Sequence, residues 1–321
     1  MLSRNAERVY WLGRYIERTE DTARLLNAFT QVMLDLPKTK KLGWNVLLKI
    51  MSVENLFHEH YEEVSEHNVF EFLVTNPENP GSLRSAVRAA RENARTSKDL
   101  FPLEGWEMLN DLNLLMKQTS VSAIRRRDRF RFLTEVIGRC QQFNGLIQSS
   151  MSRNQAHEFL SLGIHIERAD MTSRTLDIAA GILLRRGVEE STHDHHIWME
   201  ILKAQNAVGM YRAANGPRIS HVSVLRFVLC NNDFPRSIKY CLEELSQIAL
   251  SFPSYETFLE TSDKLMKKMD AYTEKDFVVS EDLRVSFDDI QLGLIDLHNI
   301  IASTWLYPTQ KVEGQTQSQS A

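Results

Sequence analysis

Apolar residues recur along most of the chain at spacings of three and four, with polar residues between them. This spacing matches the 3.6-residue turn of an α-helix, and the strict alternation typical of half-buried strands is nearly absent. Clusters of Pro, Gly, Asn and Ser separate the periodic segments, so the predicted fold class is all-α. Helices are predicted near 3–35, 44–64, 68–75, 82–99, 103–118, 122–149, 153–186, 194–214, 220–229, 235–250, 254–272 and 284–305.

One stretch of the first helix occurs twice. LGRYIERTEDTARLL at 12–26 returns in altered form as LGIHIERADMTSRTL at 162–176. Eight of the 17 positions from 10 to 26 carry the same residue 150 positions later, where average composition would give roughly one identity. Such self-similarity at a fixed offset indicates an internal repeat.

Two more pairs of segments support the repeat. WNVLLK at 44–49 corresponds to WMEILK at 198–203, and FLVTNPENPGSL at 72–83 corresponds to FVLCNNDFPRSI at 227–238. The offset grows from 150 to 154 to 155, as small loop insertions would produce. The sequence therefore predicts an internally duplicated helical bundle with about six helices per repeat. The predicted units are one domain over 1–309, repeats at about 1–149 and 150–309, and a disordered polar tail over 310–321.

The repeated stretch carries a flank of charge beside its apolar stripe. Four residues of each copy share this flank, and they are Gly13, Glu17, Glu20 and Arg24, repeated as Gly163, Glu167, Asp170 and Arg174. A glycine inside a helix costs about 1 kcal/mol relative to alanine, so its presence twice predicts the close approach of another backbone or a ligand. The acid-to-arginine spacing of four favours a pair within each helix. Arg18 and Arg168 are expected on the opposite side, with other partners.

Two interpretations of this flank stay open. In the first, the two helices pack as symmetry mates and their Glu and Arg residues form a buried structural network, since half-buried charges are expected to be paired. In the second, the network lines a pocket for an anionic or amino-acid-like ligand, because arginine binds carboxylate and phosphate with a planar fork.

The segment SLRSAVRAARENAR at 82–95 adds a second cationic surface. Its arginines and one Glu occupy nearly one helical face, and they are Arg84, Arg88, Arg91, Glu92 and Arg95. This face is either an ordinary solvated surface or part of an anion site, and the second copy largely lacks it. The candidate anion- or carboxylate-binding residues are Glu17, Arg18, Glu20, Arg24, Arg88, Arg91, Glu92, Asn93, Arg95, Glu167, Arg168, Asp170 and Arg174.

Composition excludes several classes of protein. An apolar fraction of 43% and a charged fraction of 25% over 321 residues are typical of a globular protein with a substantial core. A net charge of −4 gives no footprint for nucleic-acid binding. Three cysteines without metal-type spacing favour a reducing, cytoplasmic location. No signal peptide and no apolar run of about 18 residues is present, so no membrane association is expected.

Recognisable catalytic motifs are missing from the sequence. It has no Gly-rich phosphate loop, no G-x-S-x-G and no Cys-His arrangement with a known context. The histidines of THDHH at 192–196 lack the spacing of helical metal ligands. No metal and no cofactor is therefore expected.

Four blocks of the sequence, in order, resemble the bacterial alpha-E family, which is named for its helical content and its Glu-Arg motif. They are MLSRNAERVYWLGRYIERTEDTARLL, NPENPGSLRSAVRAARENAR, LGIHIERADMTSRTLDI and NNDFPRSIKYCLEEL. The resemblance runs from Met1 to about Tyr307. The family's Glu-Arg pair falls on Glu17 and Arg18 and again on Glu167 and Arg168, and its RENAR block falls on 91–95. Thr19 departs from the alanine that the first block often has.

The resemblance implies a helical cytoplasmic protein of a largely uncharacterised family, and no catalytic role for the motif residues. Members are often encoded beside an ATP-grasp ligase and a transglutaminase-like protein, in a predicted pathway of peptide synthesis or peptide tagging. The first hypothesis is therefore a non-catalytic adaptor that binds such a partner or presents an acidic peptide or amino acid. The second is an enzyme of amide-bond chemistry with Glu17 or Glu167 as general base. The third is a purely structural scaffold.

Overall fold

The computed structural model describes residues 1–35, 43–184, 194–274 and 280–307, and these ranges are helical and contain no strand, which confirms the all-α fold class. They hold fourteen α-helices: α1 Ser3–Asp35, α2 Asn45–Ile50, α3 Glu54–His58, α4 Glu66–Val74, α5 Leu83–Arg95, α6 Leu103–Ala123, α7 Arg126–Ser150, α8 Gln155–Leu184, α9 Asp194–Ala204, α10 Val208–Asn215, α11 His221–Cys230, α12 Ile238–Ala249, α13 Glu256–Glu274 and α14 Glu281–Ile301. A short 3₁₀ turn precedes α6, and a π-helical turn follows α14. The predicted disordered tail, 310–321, lies outside the described residues.

Two of the predicted helices are each divided in two. The predicted helix 44–64 is interrupted at Ser52, where φ is 54°, and the predicted helix 194–214 is interrupted at Asn206, where φ is 53°. A residue with left-handed φ cannot continue a right-handed helix. Residues 3–150 therefore contain seven helices, and the described part of 155–301 contains another seven, instead of about six each.

Serine side chains cap the N-termini of five helices. Each accepts a hydrogen bond from the backbone N–H three residues later, which satisfies a donor that the first turn leaves open. The helices that begin in this way are α4, α5, α11, α12 and α14. In α5 and α12 the capping residues Ser82 and Ser237 follow a proline by two positions, so the chain enters both helices in a similar way.

Helices α1 and α8 lie at the centre of the fold and pack along each other. They run in the same direction, because contacts advance together along both, from Met1 with Gln155 to Arg18 with Glu167. Around α1 lie α5, α7 and α9, and around α8 lie α12, α14 and α2. Helix α6 packs on α5 and α7, as α13 packs on α12 and α14. The two central helices thus have matching sets of neighbours.

Candidate functional site

The closest approach of the central helices occurs at their two glycines. A Cβ added to Gly13 would lie 2.3 Å from the carbonyl oxygen of Leu160, and one added to Gly163 would lie 2.1 Å from that of Tyr10. Real Cβ contacts of this length essentially do not occur. Each glycine therefore faces the backbone of the other helix, and the approach predicted from the glycines is between two backbones.

The Glu-Arg motif lies one turn beyond this crossing, where the two copies pair with each other. Arg18 Nη2 donates to Glu167 Oε2 at 2.9 Å, and its Nε donates to Oε1 of the same carboxylate. Arg168 donates from Nε and Nη2 to the two oxygens of Glu17, at 2.7 and 2.9 Å. We call these four residues, Glu17, Arg18, Glu167 and Arg168, the Glu-Arg clamp. The two bidentate pairs are related by pseudo-symmetry, since the arginine of each helix binds the glutamate of the other.

Arg18 and Arg168 have other partners, as predicted, but these partners are the flank glutamates of the opposite helix, so the prediction that both arginines lie away from the charged flank is wrong. The reason is the glycine crossing, which brings the helices close enough for each long arginine side chain to span to the opposite glutamate. A helical wheel of one helix shows only the contacts within that helix, so it cannot predict a pair between two helices. Bidentate pairs of this kind are among the strongest polar contacts in proteins.

Each clamp glutamate also receives a second arginine. Arg14 donates from Nε to Glu167 at 2.7 Å. Arg236, in the segment before α12, lies 3.1 Å from Glu17 and 3.0 Å from Glu20, and its Nη1 donates to Asp21. A single guanidinium thus contacts three carboxylates on α1.

The predicted pairs within each helix are present. Arg24 donates from Nε and Nη2 to Glu20, and Arg174 donates from Nε to Asp170 at 3.0 Å. Arg174 also donates to the hydroxyl of Ser52, in the left-handed turn after α2. Charges on both central helices are therefore tied to each other and to surrounding segments.

Burial and pairing act against each other on the clamp glutamates. Glu17 and Glu167 keep 0% and 1% of their surface exposed. Burial alone would raise the pKa of Glu17, but the charges of Arg168 and Arg236 outweigh it and lower this pKa to about 2. Arg18 and Arg14 outweigh burial in the same way at Glu167 and also lower its pKa to about 2. Both carboxylates are therefore held ionised.

The remaining buried acids behave differently. Burial raises the pKa of Asp21 to about 7. The positive charge of Arg236 opposes this rise, whereas the negative charges of Glu17 and Glu20 add to it. Burial likewise raises the pKa of Asp170, despite the pairing with Arg174. Asp21 Oδ2 is buried and has no hydrogen-bond partner among the described residues.

The arginine face of α5 does not join the Glu-Arg clamp through any of the ion pairs of the described residues. Arg84 and Arg88 are exposed, and Arg95 pairs with Glu92 at the surface. Arg91 donates to Asn110 and lies over the ring of Trp106. Two further residues belong to this region: Asn93, which is half-buried, and Lys98, which lies over the same Trp106 ring. Helix α5 buries its alanine side against α1, so its arginines face outward.

Three residues of the ionic network were not predicted from the sequence. Arg14, Asp21 and Arg236 all bond to it, but their counterparts in the other copy are Ile164, Met171 and Gly81. A comparison of repeats selects what both copies share, so it passes over residues that only one copy carries. The one sequence feature that could have identified them is their position inside the segments that match between the two repeats.

A cleft of about 300 Å³ opens beside the Glu-Arg clamp. It lies between α8, the turn after α2 and the segment 79–81 that leads into α5. Arg18, Arg174, Glu167 and Asp170 contribute its charged lining, and Ser52 its hydroxyl. The corresponding space beside Glu17 holds the side chain of Arg236.

Neither a metal centre nor a membrane span is found in the described part of the chain. No group of three or more His, Cys, Asp or Glu residues there is placed to hold a metal ion. Of the histidines in THDHH, His195 and His196 lie in the first turn of α9, whereas His193 lies outside the described residues. No helix in these ranges combines the length and apolarity that crossing a bilayer requires.

Comparison with known proteins gives one match. A family model described as a predicted alpha-helical domain with a conserved ER motif matches residues 1–306. No curated protein and no solved structure matches the chain. The match covers both central helices and the four residues of the Glu-Arg clamp.

Proposed function

The chain belongs to the Alpha-E family, and from this premise we propose that it is a non-catalytic accessory protein in peptide or amide-bond synthesis. In this proposal it is cytoplasmic, and it binds an ATP-grasp ligase or presents that enzyme with an acidic peptide or amino acid. The single observation that carries the proposal is the outward-facing arginine face of α5, beside a family motif that is itself buried and internally paired.

A catalytic role for the motif is disfavoured by its chemistry. A general base needs a pKa near the working pH and access to the substrate proton. Glu17 and Glu167 have pKa values lowered to about 2, and both oxygens of each are bonded to arginine. A carboxylate this acidic is a weak base, so amide-bond chemistry at either glutamate has little support.

The α5 face suits an acidic partner. Its exposed arginines lie at spacings that keep them on one side of the helix, with Lys98 just beyond. Arg91 and Lys98 are held against Trp106, which fixes their charges at defined positions. Complementary surface charge of this kind raises association rate and partner selectivity more than it raises affinity.

Co-purification tests the proposal. The protein should elute together with an ATP-grasp ligase of the kind often encoded beside members of its family. Reversal of two exposed charges, Arg84→Glu with Arg88→Glu, should weaken this association and its dependence on salt. Arg212→Glu with Arg218→Glu, at two exposed positions on and after α10, is the matched control with the same change in net charge, and it should leave the association unchanged. If the two proteins stay separate with and without nucleotide and acidic peptide, the adaptor proposal fails.

We also propose that the chain arose by duplication of one helical unit. Glu17 and Arg18 of the clamp lie 150 positions before Glu167 and Arg168, and the two crossing glycines are separated by the same offset. Ser52 and Asn206, both with left-handed φ, lie 154 apart, which equals the offset of the segments that precede them. The matching neighbours of α1 and α8 support the same origin.

A further inference from the structure

The surroundings of the two clamp glutamates differ at one position. Pro235, Arg236 and Ser237 precede α12 as Pro80, Gly81 and Ser82 precede α5. The guanidinium of Arg236 fills the space beside Glu17 and contacts three carboxylates there. Gly81 has no side chain, and the space beside Glu167 is the 300 Å³ cleft. The duplicated site is therefore closed in one half and open in the other.

Two arginines that line the cleft, Arg18 and Arg174, each have one guanidinium nitrogen without an acceptor among the described residues. Arg168 Nη1 donates to the carbonyl of Pro235 at 3.2 Å. Arg18 is the counterpart of Arg168, and within the described ranges its Nη1 makes no hydrogen bond to Pro80 or to any other group. Arg174 uses Nε and Nη1, which leaves Nη2 without an acceptor there. The two side chains keep 23% and 20% of their surface exposed, so a ligand can reach them.

Charge decides which kind of ligand the cleft accepts. Beside Glu17, the acids of α1 are balanced by an equal number of guanidinium groups once Arg236 is included. Two carboxylates and two arginines line the cleft, and a third arginine outside the lining also pairs with one of these carboxylates, which leaves one positive charge in excess. The arginines are Arg14, Arg18 and Arg174, and the carboxylates are Glu167 and Asp170. This excess favours a monoanion, and the two carboxylates disfavour phosphate dianions through repulsion.

We infer that the cleft binds the carboxylate of an amino acid or of a peptide C terminus. The planar carboxylate accepts from Arg18 Nη1 and Arg174 Nη2, as carboxylates elsewhere in this network accept from paired arginines. Met51, Val53 and Met171 provide an apolar wall for the adjoining side chain. The inference deepens the proposed function, on which it rests for the ligand class, since it places the amino-acid or peptide ligand at a defined site.

Binding to the whole chain, measured by calorimetry and by thermal shift, tests this site. The probes are N-acetyl-Ala-Leu with a free carboxylate, the same dipeptide as its C-terminal amide, free leucine, and inorganic phosphate. Loss of the charge-assisted hydrogen bonds should weaken the amide about tenfold or more relative to the acid. Comparable binding of free leucine assigns an amino acid as ligand, and binding of the dipeptide alone assigns a peptide C terminus. Both outcomes support the carboxylate site.

Gly81→Arg provides the matched variant, because it places in the open half the side chain that closes the other half. A Cβ at Gly81 would meet only the Asn79 side-chain oxygen within 4 Å, at 3.3 Å, and the backbone there does not have positive φ. The variant should therefore fold and should weaken the free acid about tenfold or more, whereas Gly81→Ala should bind like the wild type. If Gly81→Arg does not fold, Arg174→Gln serves instead, with the same expected loss.

Four results would overturn the inference: no carboxylate probe binds at millimolar concentration, the amide binds as well as the acid, phosphate binds instead, or Gly81→Arg leaves binding unchanged. Co-purification of the Gly81→Arg variant with the ligase distinguishes failure of the carboxylate-site inference from failure of the proposed adaptor function. Lost probe binding together with retained ligase binding is expected if both proposals hold. If the wild type binds the ligase but none of the probes, the cleft inference alone falls.

Discussion

The crossing of α1 and α8 gives the sharpest test of the fold, through the substitution Gly163→Ala. The added Cβ would lie 2.1 Å from the carbonyl oxygen of Tyr10 and 3.1 Å from the amide nitrogen of Arg14. Both are backbone atoms of a helix, so no rotamer change relieves the contact. The helices must separate by about 1 Å to restore an ordinary contact distance, which lies well above 3 Å for real Cβ atoms.

Two opposing terms set the expected magnitude. Replacing a helical glycine by alanine contributes about 1 kcal/mol of helix propensity. Overpacking typically costs 1–3 kcal/mol and sometimes more, and a backbone clash that also stretches the Glu-Arg clamp belongs at the upper end of that range. We expect Gly163→Ala to lower the free energy of unfolding by about 2 kcal/mol. Gly13→Ala should behave alike, since its Cβ would lie 2.3 Å from Leu160 O.

Urea unfolding followed by circular dichroism measures the effect, with Gly145→Ala as the control. Gly145 lies inside α7, is exposed, and a Cβ there would meet nothing within 4 Å. This control should gain up to about 1 kcal/mol from helix propensity alone. If Gly163→Ala proves as stable as the wild type, or gains as Gly145→Ala does, the close crossing described here is wrong.

Four further outcomes are expected. Arg168→Ala should cost about 3–5 kcal/mol of unfolding free energy because it breaks a buried pair. Arg95→Ala removes one partner of a solvent-exposed pair and should cost much less, and urea unfolding compares the two variants. The folded-state pKa values of Glu17 and Glu167, near 2, lie below the ordinary 4.5, so their stabilising contribution is complete above pH 4.5 and declines as the pH falls towards 2. The pH dependence of stability that Asp21 contributes has the opposite sign, because its folded-state pKa is raised to about 7. Its stabilising contribution is complete below pH 3.8 and declines as the pH rises to 7. Asp21→Asn should remove this decline when unfolding is measured as a function of pH. The three cysteines are buried, and burial raises their pKa values. A thiol reagent should therefore react with them only at the rate of unfolding. Rapid labelling of the native protein would contradict their burial.

Local rules were sufficient for most of the fold. The apolar period of three to four predicts the all-α class, and the proline and serine clusters mark where helices such as α5 and α12 begin. The two divided helices were missed because a left-handed φ at Ser52 or Asn206 is fixed by tertiary packing as well as by residue type. Neither position is a glycine, so the sequence carried no strong signal of a break.

The candidate site was predictable in part. Spacing alone gives the pairs within each helix, Glu20 with Arg24 and Asp170 with Arg174, because residues four apart share a helical face. The pairs between helices depend on which helices meet and how closely, and a single wheel contains neither fact. Arg236 illustrates the limit, since its guanidinium reaches α1 acids that lie more than 200 positions away in the chain.

The exchanged pairing of the Glu-Arg clamp also constrains how the chain is synthesised. Glu17 is neutralised by Arg168 and Arg236, and Glu167 is neutralised by Arg14 and Arg18. A nascent chain that ends near residue 150 lacks both α8, which covers Glu17, and the two arginines that pair with it. Burial and pairing of Glu17 therefore come only after the ribosome has delivered the C-terminal portion, and a gene cut between α7 and α8 would encode two polypeptides that complete the Glu-Arg clamp only together.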